Sequence, residues 1–110
     1  MTMSADLTPH EVASLQERGE IEVIDVREPE EWDAGRIAGS RHLRLTELSA
    51  QADSLPRDRT IVFVCRSGSR SAMATQAFAG AGFDARNMSG GLLEWHAGGL
   101  PLEPDDGHVA

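Results

Sequence analysis

Lysine and tyrosine are absent from this 110-residue chain, and cysteine occurs once. Without lysine no amine can form a Schiff base, so that branch of covalent catalysis is closed. Without tyrosine no phenol can serve as acid or nucleophile. A single cysteine cannot close a disulfide within the chain. No basic region followed by an apolar one opens the sequence, so a reducing cytoplasm is the expected setting. No apolar run approaches the ~18 residues of a membrane span. Positive charge is scarce as well. Eighteen acidic residues against ten basic ones leave a net charge of −8. That argues against nucleic acid or an anionic membrane as a general partner.

What is present suits one domain over residues 1–110. Hydrophobic residues make up 40%, enough for a core without staples. Thr8, Pro9 and Glu11 form a helix start with a capping box, and Gly19 marks its end. Ile21 to Val26 reads as a buried parallel strand. Pro29 opens a short helical turn to Ala34, with Trp32 as its apolar anchor. Gly35 and Gly39 bracket a loop, and Arg41 to Leu43 follows as a short strand. Thr46 is expected to cap a helix through Leu55. Ile61 to Val64 is the most apolar run and the expected central strand. Ser71 to Ala81 has helical spacing, with Met73, Ala77, Phe78 and Ala81 as the inner face. Asp84 to Met88 is a weaker strand, and Leu92 to Ala97 is a last short helix carrying Trp95. The core is expected over about 7–102, with 103–110 as a flexible acidic tail. Helices alternating with short apolar strands predict an α/β fold with a mostly parallel sheet and helices on both faces.

The chemistry concentrates where Ile61–Val64 ends. Cys65 stands at the carboxyl end of that strand, where open parallel sheets bind ligands. Arg66-Ser67-Gly68-Ser69-Arg70 then feeds a helix N-terminus. Successive N–H groups in such a turn can converge as an anion nest, and the helix dipole adds partial positive charge. Gly68 permits a backbone shape that a side chain would hinder. Arg66 and Arg70 bring full positive charge, and Ser67 and Ser69 bring hydroxyl donors. The combination favours a nucleophilic thiolate at Cys65 and a small anionic ligand against it. A lone cysteine after a buried strand is otherwise an inert core residue; the loop around it sets this one apart.

The stretch CRSGSRS resembles the active-site loop of the rhodanese sulfurtransferases. Asp25-Val26-Arg27-Glu28, Glu31-Trp32 and Gly35-x-Ile37-x-Gly39 are similar to the first conserved block of that family. Gly90-Gly91-Leu92-x-x-Trp95 and Gly99-Leu100-Pro101 are similar to its last. Arg36 departs from the usual His, and Ser40 from the usual Ala, both in the scaffold loop. The resemblance implies a rhodanese-like fold and a ping-pong sulfur transfer. Cys65 would be the nucleophile, and residues 66–70 would hold the substrate. Thiosulfate or another persulfide donor would load a persulfide on Cys65. Cyanide in an assay, or a thiol or protein in a cell, would remove it. No metal or organic cofactor is implied.

Cysteine phosphatases use a similar cradle, with five residues between Cys and Arg. Four separate Cys65 from Arg70, a loop that suits one sulfur atom better than a phosphate. Arsenate reduction is disfavoured for the same reason and for want of a second cysteine. A sulfur carrier or partner-binding module without broad turnover is the other alternative. His10, His42, His96 and His108 are scattered and lack ligand spacing with Cys65. Asp25 reads as an ion-pair partner of Arg27 that fixes the scaffold. Trp32 and Trp95 read as core anchors.

Overall fold

The computed structural model describes residues 6–110. Five parallel strands form one sheet in the order β1-β5-β4-β2-β3. They are β1 (Asp6–Leu7), β2 (Ile21–Asp25), β3 (Arg41–His42), β4 (Thr60–Val64) and β5 (Ala85–Met88). The helices are α1 (Pro9–Glu17), α2 (Pro29–Ala34), α3 (Ser69–Gly80) and α4 (Gly91–Ala97). The run expected to be central is so: β4 is the middle strand, paired with β2 on one side and β5 on the other.

Strand alternation divides the core in two. Ile61, Phe63 and Cys65 point to one face, where Ala74 and Phe78 of α3 cover them with Phe83, Leu48 and Leu55. Val62 and Val64 point to the other, against Val12 of α1 and Leu92 and Trp95 of α4. Phe78 packs tilted against both Phe63 and Phe83, with ring centroids 5.2 and 5.0 Å apart. Each such pair adds roughly 0.5–1.5 kcal/mol beyond the area it buries. The same alternation that puts Phe63 under α3 puts Cys65 beneath the helix that its own loop leads into.

Local signals hold well at α1. Thr8 Oγ1 accepts from Glu11 N at 3.2 Å, and Glu11 Oε1 accepts from Thr8 N at 2.8 Å. Three expectations change. Residues 46–55 do not form one helix but two 3₁₀ turns, Leu45–Glu47 and Ala52–Ser54. Only Leu48 and Leu55 in this stretch are buried, too few apolar contacts to hold a full amphipathic helix. In α3, Met73 is 63% exposed, and the buried face is Ser71, Ala74, Thr75 and Phe78. Two of those are polar, which hid the true stripe. Residues 103–110, expected to fray, instead fold back along the domain. Glu103 bridges Arg36, His108 N donates to Ala34 O at 2.9 Å, and Val109 packs on the α1–α4 core.

One ion pair braces the site end of the sheet. Asp25 and Arg27 are both fully buried. Arg27 Nη2 meets Asp25 Oδ2 at 2.8 Å, and Nε meets Oδ1 at 2.9 Å. The guanidinium also donates to the carbonyls of Glu31 (3.1 Å) and Gly35 (2.7 Å). The end of β2, the middle of α2 and the residue after it are thus tied to one cation, the scaffold role expected of Asp25. Asp25→Ala would strand that charge. It is expected to destabilise the fold by about 3–5 kcal/mol, read as a fall in the urea midpoint at unchanged slope.

Candidate active site

The loop after β4 closes around sulfur. Gly68 adopts φ 102°, a left-handed shape open to glycine, and α3 starts at the next residue. The turn brings two N–H donors and a hydroxyl oxygen to one atom. Gly68 N lies 3.1 Å from Cys65 Sγ, Ser71 N 3.4 Å and Ser71 Oγ 3.3 Å. The cysteine itself is fully buried. Such a ring of donors stabilises negative charge on sulfur.

The N–H groups can face inward because the carbonyls face outward. Leu92 N donates to Cys65 O at 2.8 Å, and Leu93 N donates to Arg66 O at 3.0 Å. These donors come from the first turn of α4, so helix-terminal N–H groups find partners in the loop. Gly91 makes the approach possible. Its φ is +62°, and a Cβ there would lie 2.5 Å from both carbonyl oxygens. Asn87 of β5 braces the other side. Its Oδ1 accepts from Ser71 Oγ at 2.6 Å, and its Nδ2 donates to Gly68 O at 3.3 Å.

The arginines stand differently from expectation. Arg70 does not bond to the sulfur; it forms a two-pronged pair with Glu31 of α2, at 2.8 and 2.9 Å. Charge-assisted hydrogen bonding from Arg70 holds the Glu31 carboxyl down at about 2, against the opposing pull of partial burial. Arg66 donates from Nε to the Ala110 backbone oxygen at 2.9 Å. Ser67 and Ser69 are exposed. The hydroxyl that lies against the sulfur, at 3.3 Å, belongs to Ser71. Cys65 and Gly68 are therefore brought together, while Arg66, Ser67, Ser69 and Arg70 form the surrounding rim.

Sequence reasoning missed Ser71, Asn87 and Glu31 as parts of this arrangement. A polar Asn in a strand otherwise buried was a signal, since a buried amide needs partners. Glu31 gave none, because α2 and the loop are 39 residues apart in sequence. Among the described residues no group of three or more His, Cys, Asp or Glu could hold a metal ion. A cavity of about 600 Å³, lined by Gln16, Ile21, Ile37, Trp95 and Leu100 among others, includes no residue of the cysteine loop.

Two outcomes follow from this geometry. Gly91→Ala is expected to lower stability and to misplace the loop, seen as altered amide shifts at Gly68 and Ser71. The Glu31–Arg70 pair is the second. Glu31 has a folded value near 2 against an ordinary 4.5. Its stabilisation is thus complete above about pH 4.5 and is lost as pH falls towards 2. Carboxyl NMR should place its midpoint near 2, and Arg70→Ala should move that midpoint upward. A midpoint indifferent to Arg70→Ala would remove Arg70 as the cause.

The chain resembles known proteins over most of its length. Residues 8–98 match the family model for the Rhodanese-like domain. The chain is 38% identical over 90% of its length to the probable adenylyltransferase/sulfurtransferase MoeZ of Mycobacterium tuberculosis, of which it covers 26%. It is 32% identical to the thiosulfate sulfurtransferase GlpE of Pseudomonas aeruginosa, covering 83% of both chains. The crystal structure of a rhodanese-related protein from Thermoplasma volcanium superposes with a TM-score of 0.83 at 29% identity, over 88% of this chain and 95% of that one. The chain spans less than half the length of some curated relatives, 26% of one and 44% of another. The family match and the relatives named sulfurtransferases support a sulfurtransferase-type function. The chain belongs to the rhodanese-like domain family.

Proposed function

We propose that this protein moves a sulfane sulfur from thiosulfate or a persulfide donor to a thiophilic acceptor, through a persulfide on Cys65. The observation that carries the reading is the ring of groups on one sulfur, the donors Gly68 N and Ser71 N with Ser71 Oγ beside them. A buried thiol packed only for bulk needs no such ring.

The Cys65 thiolate attacks the outer sulfur of thiosulfate. The bond between outer sulfur and sulfonate breaks, and its electron pair leaves with sulfite. A new sulfur–sulfur bond remains on Cys65, with the negative charge on the transferred atom. Cyanide or a thiolate then attacks that atom, and the electron pair of the sulfur–sulfur bond returns to Cys65. Both half-reactions develop or discharge a sulfur anion, which fixed N–H donors stabilise without reorganising. Arg66, Ser67, Ser69 and Arg70 form the rim that a donor or acceptor crosses. The name of the longer MoeZ relative joins adenylyl transfer to sulfur transfer, which supports a protein or thiol as the cellular acceptor. The four-residue spacing between Cys65 and Arg70 supports sulfur over phosphoryl chemistry.

The test is mass measurement of the intact protein after incubation with thiosulfate or an organic persulfide. Wild type should gain one sulfur atom, cyanide should remove it, and Cys65→Ser should gain none. A wild-type chain that takes sulfur from neither donor would refute the reading. Ser71→Ala should slow transfer roughly tenfold, the worth of the one hydrogen bond by which Ser71 holds Asn87 against the cradle, in steady-state kinetics with cyanide.

A further inference from the structure

The rim is less positive than the sequence alone suggests. Four arginines stand in the segments that follow β2, β3 and β4, three in loops and Arg70 in the first turn of α3. Arg27 is paired with Asp25 at 2.8 Å. Arg44 lies 3.6 Å from both Glu28 and Glu47. Arg70 is held by both oxygens of Glu31. Of these four, only Arg66 has no side-chain carboxylate within salt-bridge distance, and its Nε donates to the oxygen of Ala110 at 2.9 Å. One guanidinium without a side-chain carboxylate partner is therefore left at the rim, on a chain whose net charge is −8.

That balance bears on the donor. Thiosulfate is a small dianion and gains most from a strongly cationic mouth. A persulfide carried on a thiol brings at most one charge to the reacting end. Its remaining binding comes from the body that bears it. Arg70 would favour the dianion if its charge were open. Glu31 engages it through two short, partly buried hydrogen bonds with side-chain exposures of 34% and 16%. A donor must then compete with a partner already in place.

We infer that Glu31 determines donor specificity: by neutralising Arg70 it turns the site away from small dianionic donors and towards persulfides borne on a thiol. The inference rests on the proposed sulfur transfer through Cys65. Glu31 acts as a positioning residue, through Arg70 and not on the reacting sulfur. Sulfur transfer itself is unchanged: the outer sulfur of the carrier persulfide passes to Cys65, and the carrier leaves as a thiolate with the bond's electron pair.

The experiment compares two donors with cyanide as common acceptor. One is thiosulfate. The other is the persulfide of N-acetylcysteine amide, whose only charge sits on the sulfane sulfur. The readout is the ratio of kcat/KM values, thiosulfate over persulfide. A role in folding alone would move both donors together. Glu31→Gln should raise the ratio about fivefold, the effect of one exposed, salt-screened charge near a dianion. Glu31→Asp, which keeps the charge, should stay near the wild-type ratio. Arg70→Gln should lower it, and the double variant Glu31→Gln/Arg70→Gln, neutral like the native pair, should return it.

An unmoved ratio in folded Glu31→Gln overturns the inference. So does a double variant that has lost thiosulfate use, because Arg70 would then touch the donor directly. Wild type supplies a further check that needs no variant. Its KM for thiosulfate should change little with ionic strength, and a steep rise with salt would show an open cationic mouth. Failure of wild type to load from either donor would be a different result, refuting the sulfur-transfer reading itself.

Discussion

Two hydrogen bonds from α4 to the cysteine loop set the conditions for the rest of the site. Leu92 and Leu93 claim the carbonyls of Cys65 and Arg66. With those oxygens turned outward, the following N–H groups turn inward, and Gly68 and Ser71 meet at the sulfur. A last helix only seven residues long thus shapes a loop more than twenty positions earlier. Gly91 is the point of contact, where a methyl group would strike both carbonyls. The pairing of β4 with β5 brings the two segments side by side, and Asn87, on that same strand, bonds to the loop from within. Sheet order, glycine placement and anion cradle are one device.

Electrostatics at the site are a matter of pairing more than of net field. The acidic segment Glu28 to Asp33 supplies partners for nearby cations. Glu31 reaches Arg70, and Glu28 reaches Arg44. The buried Asp25–Arg27 pair carries a desolvation cost and is matched by two further carbonyl acceptors for the guanidinium. Its consequence is geometric. It fixes α2, and α2 presents Glu31 to the loop. The cysteine cradle therefore relies on neutral N–H donors at the sulfur, with formal charges paired around it.

The fold was largely legible because its signals are local. Thr8-Pro9-His10-Glu11 caps α1 by short-range hydrogen bonds, and the run Ile61 to Val64 in β4 has no polar residue to confuse it. The cysteine loop was legible because a lone Cys at a strand end, with Gly and Arg beside it, is an unusual composition. What escaped is non-local or disguised. Ser71 and Thr75 lie on the buried face of α3, yet their type says surface. Met73 is exposed, yet its type says core. Arg70 carries the same letter whether it faces a ligand or Glu31, and only the packing of α2 against the loop decides. The segment 46–55 had helical spacing without enough buried contacts to stabilise it. The two-residue strand β1 has too little pattern to read, and it is held by its register with β5.

The central claim is that the transferred atom resides on Cys65 and that the inner sulfur of the donor departs. Thiosulfate labelled separately at its two sulfurs tests this in a single turnover. With label on the outer sulfur, the protein should retain it, peptide mapping should place it on Cys65, and added cyanide should carry it off as thiocyanate. With label on the inner sulfur, all of it should appear in sulfite and none on the protein. Retention of the inner label, or an unlabelled Cys65 while thiocyanate still forms, would contradict the account.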